Sequence, residues 1–343
     1  MLAVAAAALC SFALPTRSAG PVQRAATVSS RVAEARAISP DDDMADVLHA
    51  DSWASARGVA GRPIFSHPSS VDSSTLVEVH AHPAGWRSLV YVSDRVGVQS
   101  VVKFDAETGL AQPTAIGNEY LKTMAAIALS TRLGEPLRRI LMLGMGAGSL
   151  PSLLSCCCPE ATTIDCVELD ASVADAACGP LGLDTSRITV HVDDALAWLS
   201  RRAELAREES AVGATAPCHS YDVICVDIFD GSNRTPEGFY STAFLRDLRA
   251  CLDARGVVVH NLHSGGADLD RRLDEACAAY SEAFPGAACR VPALRRGNTV
   301  VAAAASEEAF ASLDLLQAAA QYERQRRGLL FDASARVAGL RQL

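Results

Sequence analysis

The sequence predicts an α/β fold: a doubly wound, mostly parallel sheet of about seven strands, preceded by a small β-rich region. Three observations carry the prediction. Short runs rich in Val, Ile and Leu alternate with helix-period segments from residue 138 onward, as strands joined by crossover helices do. The first run, Ile140 to Leu143, ends in Gly144-Met145-Gly146-Ala147-Gly148 and leads into a helix-like segment. The second, Ile164 to Val167, ends in Glu168. Strand, glycine turn, helix, strand and acid, in that order, open a nucleotide-binding sheet.

The chain of 343 residues is long enough for one large domain and a smaller one. Residues 1–14 are an apolar run too short to span a bilayer. Residues 15–38 carry Arg17, Arg24, Arg31 and Arg36, with Glu34 their single acid, which is a targeting composition. Residues 1–40 therefore read as a leader, and Pro40-Asp41-Asp42-Asp43 marks the expected start of the mature protein. The two parts resemble the bipartite signal-plus-transit leaders of algae with complex plastids. A plain mitochondrial or plastid transit peptide is the second reading, a secretory signal the third, and a tail with no address the bland one.

Residues 45–113 are expected to form the small β-rich domain, from Leu76 to His80, Ser88 to Val92 and Val98 to Phe104. His80 and His82 project to one face of such a strand, yet no third ligand lies nearby, so they read as surface histidines and no metal site is expected. Residues 117–131 carry Tyr120, Leu121, Met124, Ile127 and Leu129 at near-helical spacing and predict a helix feeding the first strand of the large sheet.

Residues 114–305 are expected to form the main domain. After Glu168 a helix covers Ala171 to Cys178, a third strand runs from Ile188 to Val192, and Asp193-Asp194 opens a helix through Trp198. Residues 203–220 are Glu-, Ala- and Ser-rich, with Gly213 and Pro217, and read as an exposed insertion. Tyr221 to Asp227 is the fourth strand, Ser241 to Leu252 a helix and Gly256 to Asn261 the fifth strand. A helix over 268–284 and a closing hairpin, Ala287 to Val291 with Thr299 to Ala304, complete the sheet. Residues 306–343 are expected to be a helical tail.

Composition narrows the function. The formal charge is −9. Removing residues 1–40, with four Arg and one Glu, leaves 27 basic against 39 acidic residues, or −12. An acidic body lacks the basic footprint that nucleic-acid binding needs. The eleven cysteines form no pair of CxxC knuckles, and Cys156-Cys157-Cys158 is contiguous. Buried reduced thiols are the reading.

Ligands of open α/β sheets bind outside the carboxyl ends of the strands. There stand the glycine loop, Glu168, Asp193-Asp194, Asp227 and Asn261. A dinucleotide site prefers GxGxxG, whereas the sixth position here is Ser149, which disfavours a NAD-dependent oxidoreductase. An acid after the third strand can accept from an adenine amine. The set therefore fits an adenosyl ligand with a short charged tail: Gly144, Gly146 and Gly148 at the tail, Glu168 at the ribose, and Asp194, or its neighbour Asp193, at the adenine.

The stretches LMLGMGAGSLP (141–151), VELD (167–170), VHVDDALAWL (190–199), YDVICVDIFDG (221–231) and GVVVHNL (256–262) come in the order of a known family. Over about residues 120–305 the chain resembles the spermidine-synthase-like branch of class I methyltransferases, and residues 45–113 resemble the small N-terminal domain of that group. The resemblance implies a seven-stranded Rossmann-like methyltransferase sheet and, as cofactor, S-adenosylmethionine or its decarboxylated form. It matches Asp227 to the acid that takes the proton from the attacking amine, and Asp230 to the acid three residues on. Gly231 replaces the proline that follows in the family. Gln99 matches a strand glutamine. Tyr120 lies near the gate tyrosine but is offset and reads more readily as core. Asn261 is placed on the acceptor side, and His263 is left at the surface.

The family's polyamine synthases carry Asp within GGGDG to hold the amine of decarboxylated S-adenosylmethionine, and Ala147 stands at that position. Methyl transfer to an amine, of a small molecule or a protein, is therefore the expected activity. Aminopropyl transfer to a diamine and a non-catalytic adenosyl-binding partner protein are the alternatives. A homodimer is compatible with either. The mature form needs no membrane.

Overall fold

The apolar runs fold into two sheets in the computed structural model, which describes residues 63–343 other than 83–84, 94–95, 133–135, 160, 162, 214–218, 231–233, 295–296 and 311. The leader over 1–40 and the expected start of the mature chain lie outside the described residues. The first sheet is an antiparallel meander of β1 (Phe65–Pro68), β2 (Leu76–Ala81), β3 (Trp86–Val92) and β4 (Val96–Lys103). It is the expected β-rich region with one strand, β1, that the sequence did not disclose. His80 is buried and paired with Glu78 at 2.8 Å, and His82 meets the Ser88 hydroxyl at 2.7 Å. The expectation of surface histidines is thus corrected for His80, whose strand is covered on the face it shares with Glu78. Among the described residues no group of three or more metal-ligating side chains comes together.

The large sheet holds eight strands in the order β12-β10-β11-β9-β8-β5-β6-β7. Its members are β5 (Arg139–Leu143), β6 (Thr163–Glu168), β7 (Ile188–Val192), β8 (Tyr221–Val226), β9 (Leu252–His263), β10 (Ala288–Pro292), β11 (Asn298–Ala304) and β12 (Arg341–Gln342). The run β7-β6-β5-β8-β9 is parallel, and β11 enters antiparallel between β9 and β10. Seven of these strands are the expected ones. The eighth comes from the tail: two residues of β12 pair with Cys289 and Arg290 at the sheet edge, so the C-terminal stretch is helical only as far as its last residues.

Side-chain alternation gives the sheet two apolar faces. Ile140, Met142, Ile164, Cys166, Val223, Cys225, Val257 and Val259 face a core closed by α1 (Glu119–Ser130), α2 (Ser149–Cys157) and the tail helices α7 (Leu313–Arg327) and α8 (Ala333–Val337). Leu141, Leu143, Val167, Ile224, Val226 and Val258 face the opposite core, closed by α4 (Ala195–Ala211), α5 (Thr242–Ala250) and α6 (Ala267–Ala283). The remaining helix, α3 (Ala171–Cys178), buries Val173 and Ala176 against Val77, Val79 and Leu89 of the small sheet. The two sheets therefore share a core beside the glycine loop, which contributes Ala147 to it.

The insertion expected over 203–220 is corrected: α4 continues to Ala211. Its Ala, Leu, Arg and Glu residues are strong helix formers, and Ala195, Trp198, Leu199, Ala203 and Ala206 are buried at helical spacing. The nine described cysteines are free, and all but Cys156 and Cys178 are buried. Among the described residues no helix is long and apolar enough to cross a membrane.

Candidate active site

The carboxyl ends of the parallel strands form a single row. The Asp193 N–H donates to the Glu168 carbonyl at 3.0 Å, the Gly144 N–H to the Val167 carbonyl at 2.9 Å, and the Asp227 N–H to the Leu143 carbonyl at 2.9 Å. Val226 pairs with His260, which sets Asn261 beside Asp227. From Asp193 to Asn261 the row crosses five neighbouring strands, or about 19 Å at about 4.8 Å per strand. Strand period also fixes which side chains reach the site. Glu168, Asp227 and Asn261 are the next same-face positions beyond Cys166, Cys225 and Val259, where the apolar core under α1 and α2 gives way to the rim.

The glycine loop is shaped by contact as well as by turn geometry. Gly144 has φ +82°, and a Cβ there would stand 2.2 Å from the Asp227 carbonyl oxygen. At Gly146, φ +54°, a Cβ would stand 2.7 Å from the Ser100 hydroxyl of β4. No side chain caps α2, because its N-cap is Gly148 and the Ser149 hydroxyl donates to the Val101 carbonyl at 2.9 Å instead. The first N–H groups of α2 thus face the loop without a side-chain acceptor, an arrangement that favours an anionic group.

Glu168 is half-buried. Its carboxylate accepts from the Met145 N–H at 3.1 Å and the Gly146 N–H at 3.3 Å, and from the Asp170 N–H at 3.2 Å. Burial pushes its carboxyl above the usual range, and these three donors work against that. Asp194 caps α4 by accepting from the Ala197 N–H at 2.8 Å, and Asp193 accepts from the Asp194 N–H and pairs with Arg201. Both stand in the same row as Glu168, with their carboxylates engaged in local bonds.

Asp227 is the most perturbed acid at the rim. Burial raises its carboxyl to about 6; bonds from Asn261 and Tyr120 pull it down, and the Glu168 charge pushes it up. Asn261 Nδ2 donates to Asp227 Oδ1 at 2.9 Å, and Asn298 Nδ2 donates to Asn261 Oδ1 at 3.0 Å. Tyr120 is brought to Asp227 by the first turn of α1, and its phenol donates to that carboxylate. The reading of Tyr120 as core holds for its ring, which packs on the core, while its hydroxyl is turned to Asp227. Asp230 is exposed and accepts from the Arg234 N–H at 2.9 Å; Gly231 lies outside the described residues. Gln99 is the extra residue of a β-bulge, since Leu89 pairs with Ser100 and Val90 with Val98. A bulge breaks strict alternation and re-aims its side chain, and this one lies next to the Ser100 that backs Gly146.

No family model matches the chain. By sequence it is 30% identical over 177 residues to the human eEF1A lysine and N-terminal methyltransferase, covering 49% of this chain and 24% of that protein. It is 32% identical over 147 residues to a polyamine aminopropyltransferase of Vibrio vulnificus, covering 43% of each. The chain thus spans less than half the length of these relatives. By structure it resembles a probable spermidine synthase from Corynebacterium glutamicum (TM-score 0.59, 23% identity, 80% of this chain and 93% of that one). It also resembles human methyltransferase-like protein 13 in complex with SAH (TM-score 0.51, 25% identity, 62% and 93%). The fold is that of the spermidine-synthase-like class I methyltransferases.

Within this spermidine-synthase-like fold, three residues join the site that the sequence did not point to. Asn298, the first residue of β11, orients Asn261; only the antiparallel insertion of that strand brings it near. Tyr91 of β3 has its phenol pushed up by burial and by the charges of Glu168 and Asp170, which places it by the Glu168 end of the row. Phe229 stacks on His263 with centroids 4.1 Å apart, so His263 is half-buried against a ring and the expectation of a surface residue is corrected. Phe229 had a signal in the sequence, standing between the two acids of the DIFD segment. Tyr91 had none beyond its place in a strand.

Proposed function

We propose that the chain is an S-adenosylmethionine-dependent transferase that methylates an amine. The observation that carries this choice is Ala147. It is buried to 2% exposure with Val77, Val79 and Leu89 of the small sheet and Val173 of α3. The loop therefore offers no carboxylate at the position where a polyamine synthase holds the ammonium of a decarboxylated cofactor. The uncapped start of α2 instead suits a cofactor that keeps its carboxylate.

The residues present fit the adenosyl group: a glycine cradle that a Cβ would fill, a half-buried acid at the end of the second parallel strand, and further acids one strand on. Gly144, Gly146 and Gly148 would hold the amino-acid tail, Glu168 the ribose hydroxyls, and Asp194 or Asp193 the adenine amine. When bound, S-adenosylmethionine supplies an electrophilic methyl on a sulfonium. The chain's part is to bring an amine in line and to remove its proton. Asp227 is ionised at neutral pH, attracts the ammonium, and accepts the proton that frees the nitrogen lone pair. Asn261 and Tyr120 hold that carboxylate in place. The acceptor is an amine of a small molecule or of a protein, the two kinds named for the relatives, and Gln99, at the bulge of β4, and Asp230 are the further residues assigned to its side.

Incubating the protein with amines and either cofactor tests the reading. Methyl transfer releases S-adenosylhomocysteine from S-adenosylmethionine. Aminopropyl transfer to putrescine, seen only with decarboxylated S-adenosylmethionine and releasing methylthioadenosine, would replace it with the polyamine-synthase alternative. Residues 1–40 we read as an organellar leader, plastid first and mitochondrial second. Fusing them to a fluorescent protein tests this, and diffuse fluorescence would reject it.

A further inference from the structure

A small cavity lies against Leu262, on the face of β9 opposite to the one that carries Asn261. Three of its lining residues carry a buried polar atom without a hydrogen-bond partner: Thr235 Oγ1, Tyr240 Oη and Arg272 Nε. Thr235 is 6% exposed and Tyr240 8%. Tyr240 ends the 3₁₀ turn Glu237–Tyr240, and Arg272 stands in the second turn of α6, so the cavity separates these two elements. Burial and the Glu237 charge push the Tyr240 phenol up, and Arg272 works against them. The two side chains are therefore close, but no hydrogen bond of good geometry joins them. Leu269, Leu273 and the His263 ring, which stacks on Phe229, complete the wall beside Leu262.

We infer that this cavity is a binding site for one internal water molecule, which joins the turn to α6 through Thr235, Tyr240 and Arg272. Size argues for water: the cavity leaves about 10 Å³ for the centre of such a molecule, close to what one water needs. Donor count argues for it as well. A water accepts from Arg272 Nε–H and from one hydroxyl and donates to the other, so all three orphaned atoms are satisfied at once. Charge argues against an anion. Arg234, Arg271 and Arg272 are already balanced by Glu237, Asp268 and Glu275 in ion pairs of 2.5–3.5 Å. Buried hydroxyls left without partners would destabilise the fold, whereas a bridging water makes the same groups a link between turn and helix. The inference is independent of the transferase reading.

The test is a double-mutant cycle on the full chain, with a crystal structure beside it. Thr235→Val and Tyr240→Phe keep the shape of each side chain and remove one hydroxyl. Each is expected to lower the folding equilibrium constant about two- to tenfold in chemical denaturation. The double variant should fall at least about twofold short of the product of the two losses, because both hydroxyls act through one molecule. A density peak within hydrogen-bond reach of Thr235 Oγ1, Tyr240 Oη and Arg272 Nε shows that molecule directly. Substitutions that raise the constant or leave it unchanged, losses that simply multiply, or a crystal structure with no such peak overturn the inference. So does stability that rises when chloride replaces gluconate at fixed ionic strength in the unaltered chain and not in Thr235→Val, which would make the occupant an anion.

Discussion

Asn261 and Asp227 stand at the ends of adjacent parallel strands, 34 positions apart, and share a 2.9 Å bond from amide nitrogen to carboxylate oxygen. Asn298 holds the amide oxygen of Asn261 from the other side at 3.0 Å, so the NH₂ end is committed to the acid. With Tyr120 donating as well, Asp227 is pinned in one orientation, yet burial keeps its carboxyl near 6. A base that titrates near the working pH balances the ionised fraction against proton affinity.

Asp227 makes the reaction pH-dependent. Activity with an amine acceptor should rise through a midpoint near pH 6 as the carboxyl ionises. Asp227→Asn should lower kcat by roughly 100- to 10,000-fold, the usual contribution of a general base, with cofactor affinity retained. Stability runs the other way. Between the ordinary value of 3.8 and about 6 the folded protein keeps a proton that the unfolded chain has released, so this group's contribution falls as pH rises through that window. Denaturant melts at pH 4 and pH 7 read the sign.

Removing the Tyr120 hydroxyl should move that midpoint. A bond to a charged group contributes about 1.5–3 kcal/mol, and about 1.36 kcal/mol is one pKa unit. Tyr120→Phe should therefore raise the activity midpoint by about one unit or more, at little cost in cofactor binding. A pH–rate profile unchanged by the substitution would show that the phenol does not serve the acid.

Gly144→Ala should abolish cofactor binding. The added Cβ falls 2.2 Å from the Asp227 carbonyl oxygen, and φ is +82°, so neither the backbone nor its neighbour can give way cheaply. Titration calorimetry with S-adenosylmethionine checks this, and affinity within threefold of the unaltered chain would refute the cradle.

The tail should prove part of the fold's stability. Arg336 of α8 donates to Glu119 at 2.6 Å across 217 positions, with both side chains 9% exposed, and Lys122 takes the other carboxylate oxygen at 2.6 Å. Arg336→Ala leaves a buried acid with one partner and should cost about 3 kcal/mol, read by chemical denaturation. Because Glu119 opens the turn that carries Tyr120, part of the loss should reappear as a raised midpoint in the pH–rate profile.

Much of this was legible in the chain before folding. The alternation of apolar runs announced seven strands of the large sheet, and α3 and β7 fall where their residues predicted. Acids and glycines at the ends of those runs announced the row, because position along a strand and parity on its face are one-dimensional properties. α4 was misread at its far half because Glu, Ala and Ser suit both an exposed loop and a solvated helix face. What decided it was the burial of Ala203 and Ala206.

The sequence by itself determined where each strand stops and which residue stands there: Gly144, Glu168, Asp227, Asn261. Tertiary structure alone decided which of these touch. Tyr120 reaches Asp227 across 107 positions, Asn298 orients Asn261 through an antiparallel strand, and the tail grips Glu119 from the far end of the chain. Such contacts depend on strand order and helix packing, which long-range burial sets and no local pattern encodes. A buried carboxyl's proton affinity is therefore a property of the assembled rim and of no segment within it.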